Sequence, residues 1–168
     1  KAYALRDIAL ELAKAGQTQQ ALLIFDKAVN AAGSISDDSE KALTLKDIAV
    51  KLAKAGQFNK ALTVYGSISG DYFKAWTLSD IALELAKAGQ FDKAVSVAGF
   101  IYDNSYKALT LNFIASELAK AGQTQQALQI FDKAFSVAGS ISDDSKKAWA
   151  LIDIVVELAK AGQTQQAL

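Results

Sequence analysis

Among its 168 residues the sequence has no cysteine, histidine, methionine or proline. Without histidine and cysteine, the chain lacks the usual general-base side chain, the thiolate nucleophile and the common zinc ligands. Without cysteine it also cannot form a disulfide bond. These absences exclude most catalytic mechanisms, so we expect a protein that is not an enzyme and that holds no metal and no cofactor.

The charge balance argues against a nucleic-acid partner. Lys plus Arg and Asp plus Glu both number 18, and Arg6 is the one arginine, whereas a nucleic-acid-binding domain usually carries a basic face. No apolar stretch approaches the roughly 20 residues of a membrane-spanning helix. We therefore predict no nucleic-acid binding and no membrane span. Apolar residues still make up 51% of the chain, which is enough for a substantial core.

The hexapeptide LAKAGQ occurs five times, beginning at residues 12, 52, 85, 118 and 158, at intervals of 40, 33, 33 and 40 residues. Apolar residues with helical spacing precede each copy, for example Leu45, Ile48, Ala49 and Leu52. The lysine in the last turn and the glycine after it are helix-stop signals. Each copy therefore predicts the end of a first helix and a tight turn.

A second apolar stripe follows each turn and predicts a second helix, as in Ala127, Leu128 and Phe131. The link to the next first helix contains Asp and Ser residues that can cap it, and Asp37 with Glu40 has capping-box spacing. We predict one repeat domain over residues 1–168 with five hairpins, the last of them incomplete. Because the chain lacks an initiator Met and stops at AGQTQQAL, we expect a piece of a longer array. The first helices are predicted near residues 1–15, 38–55, 71–88, 104–121 and 144–161.

The two repeat intervals differ only in the second helix. The glycines that flank a first helix are always 23 residues apart, whereas those that flank a second helix are 17 or 10 apart. The longer form contains the additional heptad TQQALQI. Seven residues make about two helical turns, or about 10 Å, and keep the apolar face in place. We predict that the second helices starting near Thr18 and Thr124 are two turns longer than those starting near Phe58 and Phe91.

The pattern resembles the tetratricopeptide repeat (TPR), whose signature is Trp-x2-Leu-Gly-x2-Tyr, then Gly-x-Tyr, then Ala-x3-Phe-x2-Ala. The first copy reads Leu5-x2-Ile8-Ala9-x2-Leu12, Gly16-x-Thr18, Ala21-x3-Phe25-x2-Ala28. Leucine replaces Trp, alanine replaces the packing glycine, and the proline after the second helix is absent. Pentatricopeptide RNA binders are also similar, but their steady period and basic surface are missing here. The TPR resemblance covers the whole chain and implies an all-α fold, a right-handed α-solenoid of tandem antiparallel helical hairpins.

Two kinds of charged residue recur at fixed repeat positions. A carboxylate ladder could bind a cation, and a lysine ladder could attract phosphate. We interpret the carboxylates as solvated or locally paired, and the lysines as compensation of the helix dipole. The carboxylate ladder is Asp7, Asp47, Asp80 and Asp153, with Phe113 in the fourth copy; the lysine ladder is Lys14, Lys54, Lys87, Lys120 and Lys160.

The resemblance also implies a binding surface, because first helices line the concave face in this family. Three rows of side chains fall on that face, and neither the first nor the third row is needed for the core stripe. The first row is Tyr3, Leu43, Trp76, Leu109 and Trp149; the variable row is Arg6, Lys46, Ser79, Asn112 and Ile152; the third row is Leu10, Val50, Leu83, Ser116 and Val156. Exposed apolar patches often mark contact sites, so we predict that these rows bind a partner. The alternative is that the apolar rows fill a tightly wound superhelix.

The sequence therefore predicts a protein-interaction scaffold that binds a peptide or a protein on its concave face. One alternative is a self-assembling repeat protein whose chains stack end to end, so that the partner is a second copy. The other is the sensor or regulatory arm of a larger multidomain protein. Nothing in the residues identifies the partner.

Overall fold

The computed structural model describes residues 1–162. In this part of the chain nine α-helices follow one another, and no strand occurs. They are α1 (Ala2–Lys14), α2 (Thr18–Gly33), α3 (Asp38–Lys54), α4 (Phe58–Tyr65), α5 (Asp71–Lys87), α6 (Phe91–Gly99), α7 (Asn104–Lys120), α8 (Thr124–Gly139) and α9 (Asp144–Lys160). The odd-numbered helices are the first helices, and the even-numbered ones are the second helices. The part of the incomplete fifth hairpin that is predicted after residue 162 lies outside the described residues.

Second helices come in two lengths that match the two repeat intervals. α2 and α8 have 16 residues each, whereas α4 has 8 and α6 has 9. At about 1.5 Å per residue, the long helices exceed the short ones by about 10–12 Å. The prediction from the heptad is confirmed, because the additional residues extend the helix and do not form a loop.

Capping residues and glycines fix where the first helices begin and end. The side chains of Asp37, Asp103 and Asp143 each accept a hydrogen bond from the backbone N–H three residues later, at 2.7–2.9 Å. Each first helix ends with a lysine. The glycine of the following turn has a φ between 71° and 79°, a region that side-chain-bearing residues rarely adopt. The boundaries therefore follow from local chemistry.

The chain divides into two compact units, unit 1 (Lys1–Glu84) and unit 2 (Leu85–Leu168), with the boundary inside α5. In unit 1, α1 packs on α2 and α3, and α3 also packs on α2 and α4. In unit 2, α7 packs on α6, α8 and α9, and α8 also packs on α9. Each hairpin contacts its neighbour, as expected of an all-α TPR-like repeat fold. A single domain and a right-handed superhelix remain predictions.

The apolar stripes of the first and second helices form the core of each unit. Phe25 and Ile48 in unit 1 and Ile114 and Phe131 in unit 2 are almost completely buried. Ile8 departs from this pattern, because its side chain is 52% exposed. Among the described helices, α1 packs on α2 and α3, and their packing leaves Ile8 open.

Candidate protein-binding surface

The predicted rows lie on the side of each first helix that meets the next first helix. The hydroxyl groups of Tyr3 in α1 and Thr44 in α3 hydrogen bond at 3.0 Å. Arg6 Nη1 donates to Asp47 Oδ2, also at 3.0 Å. The first row and the variable row of α1 therefore contact α3.

Two further pairs repeat this arrangement. Lys46 Nζ in α3 lies 3.3 Å from Asp80 Oδ2 in α5, and Ser116 Oγ in α7 donates to Glu157 Oε2 in α9 at 3.1 Å. In all four pairs the second residue lies one position beyond the repeat interval, at 41 residues where the interval is 40 and at 34 where it is 33. Within each unit, the first helices joined by these pairs thus stack at one fixed register.

In unit 1 the variable row and the carboxylate ladder form alternating ion pairs. Arg6 contacts both Asp7 at 2.8 Å and Asp47 at 3.0 Å. Lys46 Nζ lies 3.6 Å from Asp47 and 3.3 Å from Asp80. The interpretation of these carboxylates as locally paired is confirmed. The side chains of Arg6 and Lys46 are only 14% and 9% exposed, so both predicted partner-binding cations are already engaged.

Aromatic side chains gather around Lys46 at the start of α5. Lys46 Nζ lies 3.6 Å from the centroid of the Trp76 ring, a cation–π contact. Tyr72 packs edge-on against Trp76 and Phe73, with ring centroids 5.9 and 5.4 Å apart. Tyr72 is 59% exposed, and Trp76 is half-buried. We call Tyr72, Phe73, Trp76 and Lys46 the α5 aromatic cluster.

Sequence reasoning identified Trp76 and missed Tyr72, which lies outside the three recurring rows. A signal was present, because the equivalent position is serine in the other capped first helices: Ser39, Ser105 and Ser145. One copy has a large aromatic residue where three other copies have serine, and core packing does not require this difference. Comparison of the copies at exposed positions would have found it.

Burial and charge act in opposite directions on Asp80, beside this cluster. Desolvation raises the pKa of the carboxyl group, and the nearby Lys46 ammonium only partly offsets that rise. Keeping Asp80 ionised therefore costs folding free energy, and the attraction of Lys46 offsets part of that free energy. The ion pair positions Lys46 against the Trp76 ring.

Unit 2 has an uncharged variable row on α7. Asn112 and Ser116 are 4% and 7% exposed, and Asn112 Oδ1 is buried without a hydrogen-bond partner. Ser116 and Glu157 border a cleft of about 240 Å³ together with Lys120 and Lys160. A hydrogen bond from Lys160 lowers the pKa of Glu157, opposed by burial. Hydrogen bonds rather than ion pairs thus join α7 to α9.

On α9 the three rows are open. Trp149, Ile152 and Val156 are 74%, 56% and 42% exposed. Leu109, the first-row residue of α7, is 44% exposed. The members of the predicted surface accordingly divide into exposed apolar residues and covered polar residues.

Members of the lysine ladder pair locally with glutamates. Lys14, Lys120 and Lys160 each pair with the glutamate three residues earlier, at 2.7 Å. Within residues 1–162, no three Asp, Glu, His or Cys side chains lie together in a way that could hold a metal ion. Over the same residues, none of the helices combines the length and the apolar character that a membrane crossing requires.

Comparison with known proteins yields no matching family model and no matching curated sequence. Among solved structures, the chain is similar to a protein from Thermococcus onnurineus NA1, with a TM-score of 0.48 and 24% identity over 95% of this chain. The match covers 47% of that protein, so the chain spans about half its length. It is also similar to a kinesin light chain with nearly identical TPR-like repeats from Podosopora anserina, with a TM-score of 0.46 and 13% identity over 98% of this chain and 89% of that one. The TPR-like fold is evident from the chain's own hairpins, and neither likeness bears on function.

Proposed function

We propose that the chain is a non-enzymatic scaffold that binds a peptide or a protein on the surface of its first helices. The α5 aromatic cluster supports this function most strongly, because Tyr72 is 59% exposed and packs edge-on against the half-buried Trp76. Tryptophan and tyrosine are enriched in binding hot spots. A tryptophan at this place is not needed for the core, since leucine occupies it in copies two and four.

The ion pairs of unit 1 contribute by holding the cluster in position. Lys46 is fixed between Asp47 and Asp80 and lies over one face of the Trp76 ring. A ring that is already held loses little conformational freedom on binding, so more of the contact energy appears as affinity. We infer that the partner offers an apolar or aromatic side chain to the edge of Trp76 and to Tyr72.

Not every residue of the predicted rows has the same role in this proposal. The exposed members, such as Tyr3, Leu109 and Trp149, contact the partner. The covered polar members Lys46 and Ser116 hold neighbouring first helices together through Asp80 and Glu157 and act on the partner only indirectly. The predicted surface thus consists of exposed residues that contact the partner and covered residues that hold the first helices together.

The test compares Trp76→Ala with Leu78→Ala, a core truncation two residues away at a site that is 3% exposed. Trp76→Ala should weaken partner binding by on the order of 2 kcal/mol and leave the fold nearly intact. Leu78→Ala should lower the free energy of unfolding by roughly 2–5 kcal/mol. Thermal melts measure the second effect. Quantitative capture of proteins from the source lysate, followed by titration of the captured protein, measures the first.

Phe135→Ala is the matched control, because Phe135 is a 52% exposed aromatic residue on a second helix. It should retain every captured protein. If Trp76→Ala melts as low as Leu78→Ala, the tryptophan is a core residue and the proposal fails. It also fails if Trp76→Ala folds well and captures the same proteins as the unmodified chain.

Self-association is a second candidate, favoured by two apolar edges. Ile8 on α1 is 52% exposed and Trp149 on α9 is 74% exposed, so two copies could meet end to end. Light scattering over a range of concentrations tests this candidate. A mass that rises with concentration and falls on Trp149→Ala would favour it over the scaffold.

The absence of catalysis belongs to the same proposal. The sequence has no histidine and no cysteine, and Asp47 and Asp80 of the carboxylate ladder are engaged in ion pairs. A hydrolytic or transfer activity that survives purification and disappears on Asp80→Asn would overturn it.

A further inference from the structure

A cleft of about 320 Å³ lies between two neighbouring second helices of unit 2, α6 and α8. Both helices pack on α7, and Leu118 of α7 also lines the cleft. The heptad that lengthens α8, residues 124–130, contributes Gln126, Gln129 and Ile130 to the lining. The wall formed by α8 thus comes in part from the residues that make this helix longer than α6.

Opposite charges line the two walls of the cleft. Asp92 of α6 and Lys133 of α8 are both exposed, and within residues 1–162 no ion pair joins them. The equivalent charges of unit 1 do pair, because Lys60 Nζ of α4 lies 2.7 Å from Asp26 Oδ1 of α2. In both cases the aspartate is the second residue of an FDKA segment, and the lysine is the third residue of FNKA or FDKA in the next second helix. The same repeat positions therefore form a closed pair in unit 1 and an open one in unit 2.

Side-chain amides complement these two charges. Gln126, Gln129 and Lys133 occupy positions i, i+3 and i+7, which lie on one side of α8. Each amide can donate a hydrogen bond to a carboxylate and accept one from an ammonium group. Lys133 favours a carboxylate, and Asp92 favours an ammonium group. A ligand that carries both groups would complement both walls at once.

Apolar side chains complete the lining and limit what fits. Phe91 and Val95 of α6 are half-buried, and Leu118 and Ile130 are 2% and 7% exposed. The volume is at the lower end of the range for small-molecule sites, which is about 300–1,000 Å³. One turn of a helix, about 10 Å wide and about 5.4 Å long, would exceed it. The walls therefore suit a small molecule with an apolar group and two opposite charges.

We propose that this cleft binds a free α-amino acid with an apolar side chain. The ammonium group of the ligand contacts Asp92, its carboxylate contacts Lys133, and its side chain packs on Phe91 and Val95. None of the lining residues belongs to the three rows or to the α5 aromatic cluster. The inference therefore goes beyond the proposed scaffold function and does not rest on it.

The probe is L-leucine, titrated into the isotope-labelled chain and followed by NMR. The side-chain amide signals of Gln126 and Gln129 should shift and saturate. The matched ligands are N-acetyl-L-leucine, which lacks the ammonium group, and L-leucinamide, which lacks the carboxylate. Each should bind about fivefold more weakly, the upper value for an ion pair in contact with water. Equal binding of the three ligands, or shifts that do not saturate, would overturn the inference.

Two variants assign the charges of the ligand to the two walls. Asp92→Asn should weaken leucine binding about fivefold and remove its advantage over N-acetyl-leucine, while the advantage over leucinamide remains. Lys133→Gln should remove the advantage over leucinamide and keep the other. Asp132→Asn is the matched control, because this exposed aspartate precedes Lys133 and does not line the cleft. It should leave the three affinities unchanged. If Asp92→Asn weakens leucine and N-acetyl-leucine equally, Asp92 does not bind the ammonium group and the inference is wrong.

A double-mutant cycle tests whether the pair is open in solution. Urea unfolding of Asp92→Asn, Lys133→Gln and the double variant, without ligand, gives the coupling between the two residues. No coupling is expected, whereas Asp26→Asn and Lys60→Gln in unit 1 should be coupled. If the two pairs are coupled equally, the cleft offers no free charge and the inference falls.

The two proposals can fail separately. If leucine binds as expected while Trp76→Ala loses no captured protein, the amino-acid site stands and the scaffold function fails. If capture depends on Trp76 but leucine does not bind, the scaffold function stands and the inference is wrong.

Discussion

Unit 1 joins its first helices through ion pairs, and unit 2 joins α7 to α9 through a hydrogen bond from a serine to a carboxylate. Arg6–Asp47 and Lys46–Asp80 link the first helices of unit 1 at 3.0 and 3.3 Å. In unit 2, Ser116 Oγ of α7 donates a hydrogen bond of 3.1 Å to Glu157 of α9. Both kinds of link have the same register, so the stacking of the first helices does not require an ion pair.

The difference shows how a repeat protein divides its residues between fold and specificity. The core stripe and the glycine turns recur in every copy and determine the stacking. The variable row changes from copy to copy. In unit 1 its two cations each pair with a carboxylate of the next first helix, whereas Ile152 in α9 carries no charge at the same position.

The largest expected effect tests whether the cores of the two units are packed equally well. Phe25 and Phe131 are equivalent residues of the two long second helices, and they are 0% and 2% exposed. Phe25→Ala and Phe131→Ala should each lower the free energy of unfolding by about 3–5 kcal/mol, because each leaves a cavity of similar size. Urea unfolding followed by circular dichroism measures both.

Phe135→Ala controls for the loss of an exposed phenylalanine and should cost less than about 1 kcal/mol. A difference between the two core variants of more than about 2 kcal/mol would mean that the units are packed differently despite their matching sequence.

The features that recur in both units are also the part of the molecule that the sequence could predict. Helical spacing, terminal lysines and glycines are local signals, so they predict the helix ends and the two lengths of second helix. The contact of Arg6 with Asp47 could not be predicted. It depends on the stacking register of α1 and α3, and the two residues are 41 positions apart in the sequence. The same register explains why Lys46 and Asn112, placed on a binding surface by the family resemblance, are covered by neighbouring helices.

A smaller effect is expected from a substitution that removes the charge pairing of unit 1 alone. Asp47 neutralises Arg6 and contributes to holding Lys46, whose side chains are only 14% and 9% exposed. Asp47→Ala should cost about 1–3 kcal/mol of unfolding free energy, because it removes a partner from two poorly solvated cations. Urea unfolding at neutral pH measures the loss.

Asp153→Ala is the equivalent change in unit 2, at an exposed aspartate beside Ile152. It should stay within about 0.5 kcal/mol of the unmodified chain. If the two alanine variants lose the same stability, the ion pairs of unit 1 contribute no more than a solvated aspartate, and the contrast between the units is not energetic.

The smallest effect is a difference in pH dependence between Asp80 of unit 1 and Glu157 of unit 2. Burial raises the pKa of Asp80, so the folded state binds its proton more tightly than the unfolded state does. Its contribution to stability therefore falls as the pH rises from the ordinary aspartate pKa through the raised one. The hydrogen bond from Lys160 lowers the pKa of Glu157, so its contribution is complete above the ordinary glutamate pKa. That contribution is lost as the pH falls through the lowered value.

The stability difference between the unmodified chain and Asp80→Asn should therefore decrease with rising pH, while the difference from Glu157→Gln should increase. Both effects should be modest, because the two side chains keep 26% and 30% of their exposure to solvent. Urea unfolding of the three proteins between about pH 3 and pH 7 gives both slopes. Slopes of the same sign would show that burial does not dominate at Asp80, and that Lys46 stabilises its carboxylate as Lys160 stabilises that of Glu157. The stacking of α3 on α5 would then use its ion pair as a net source of stability, and unit 1 would differ from unit 2 only in the number of such pairs.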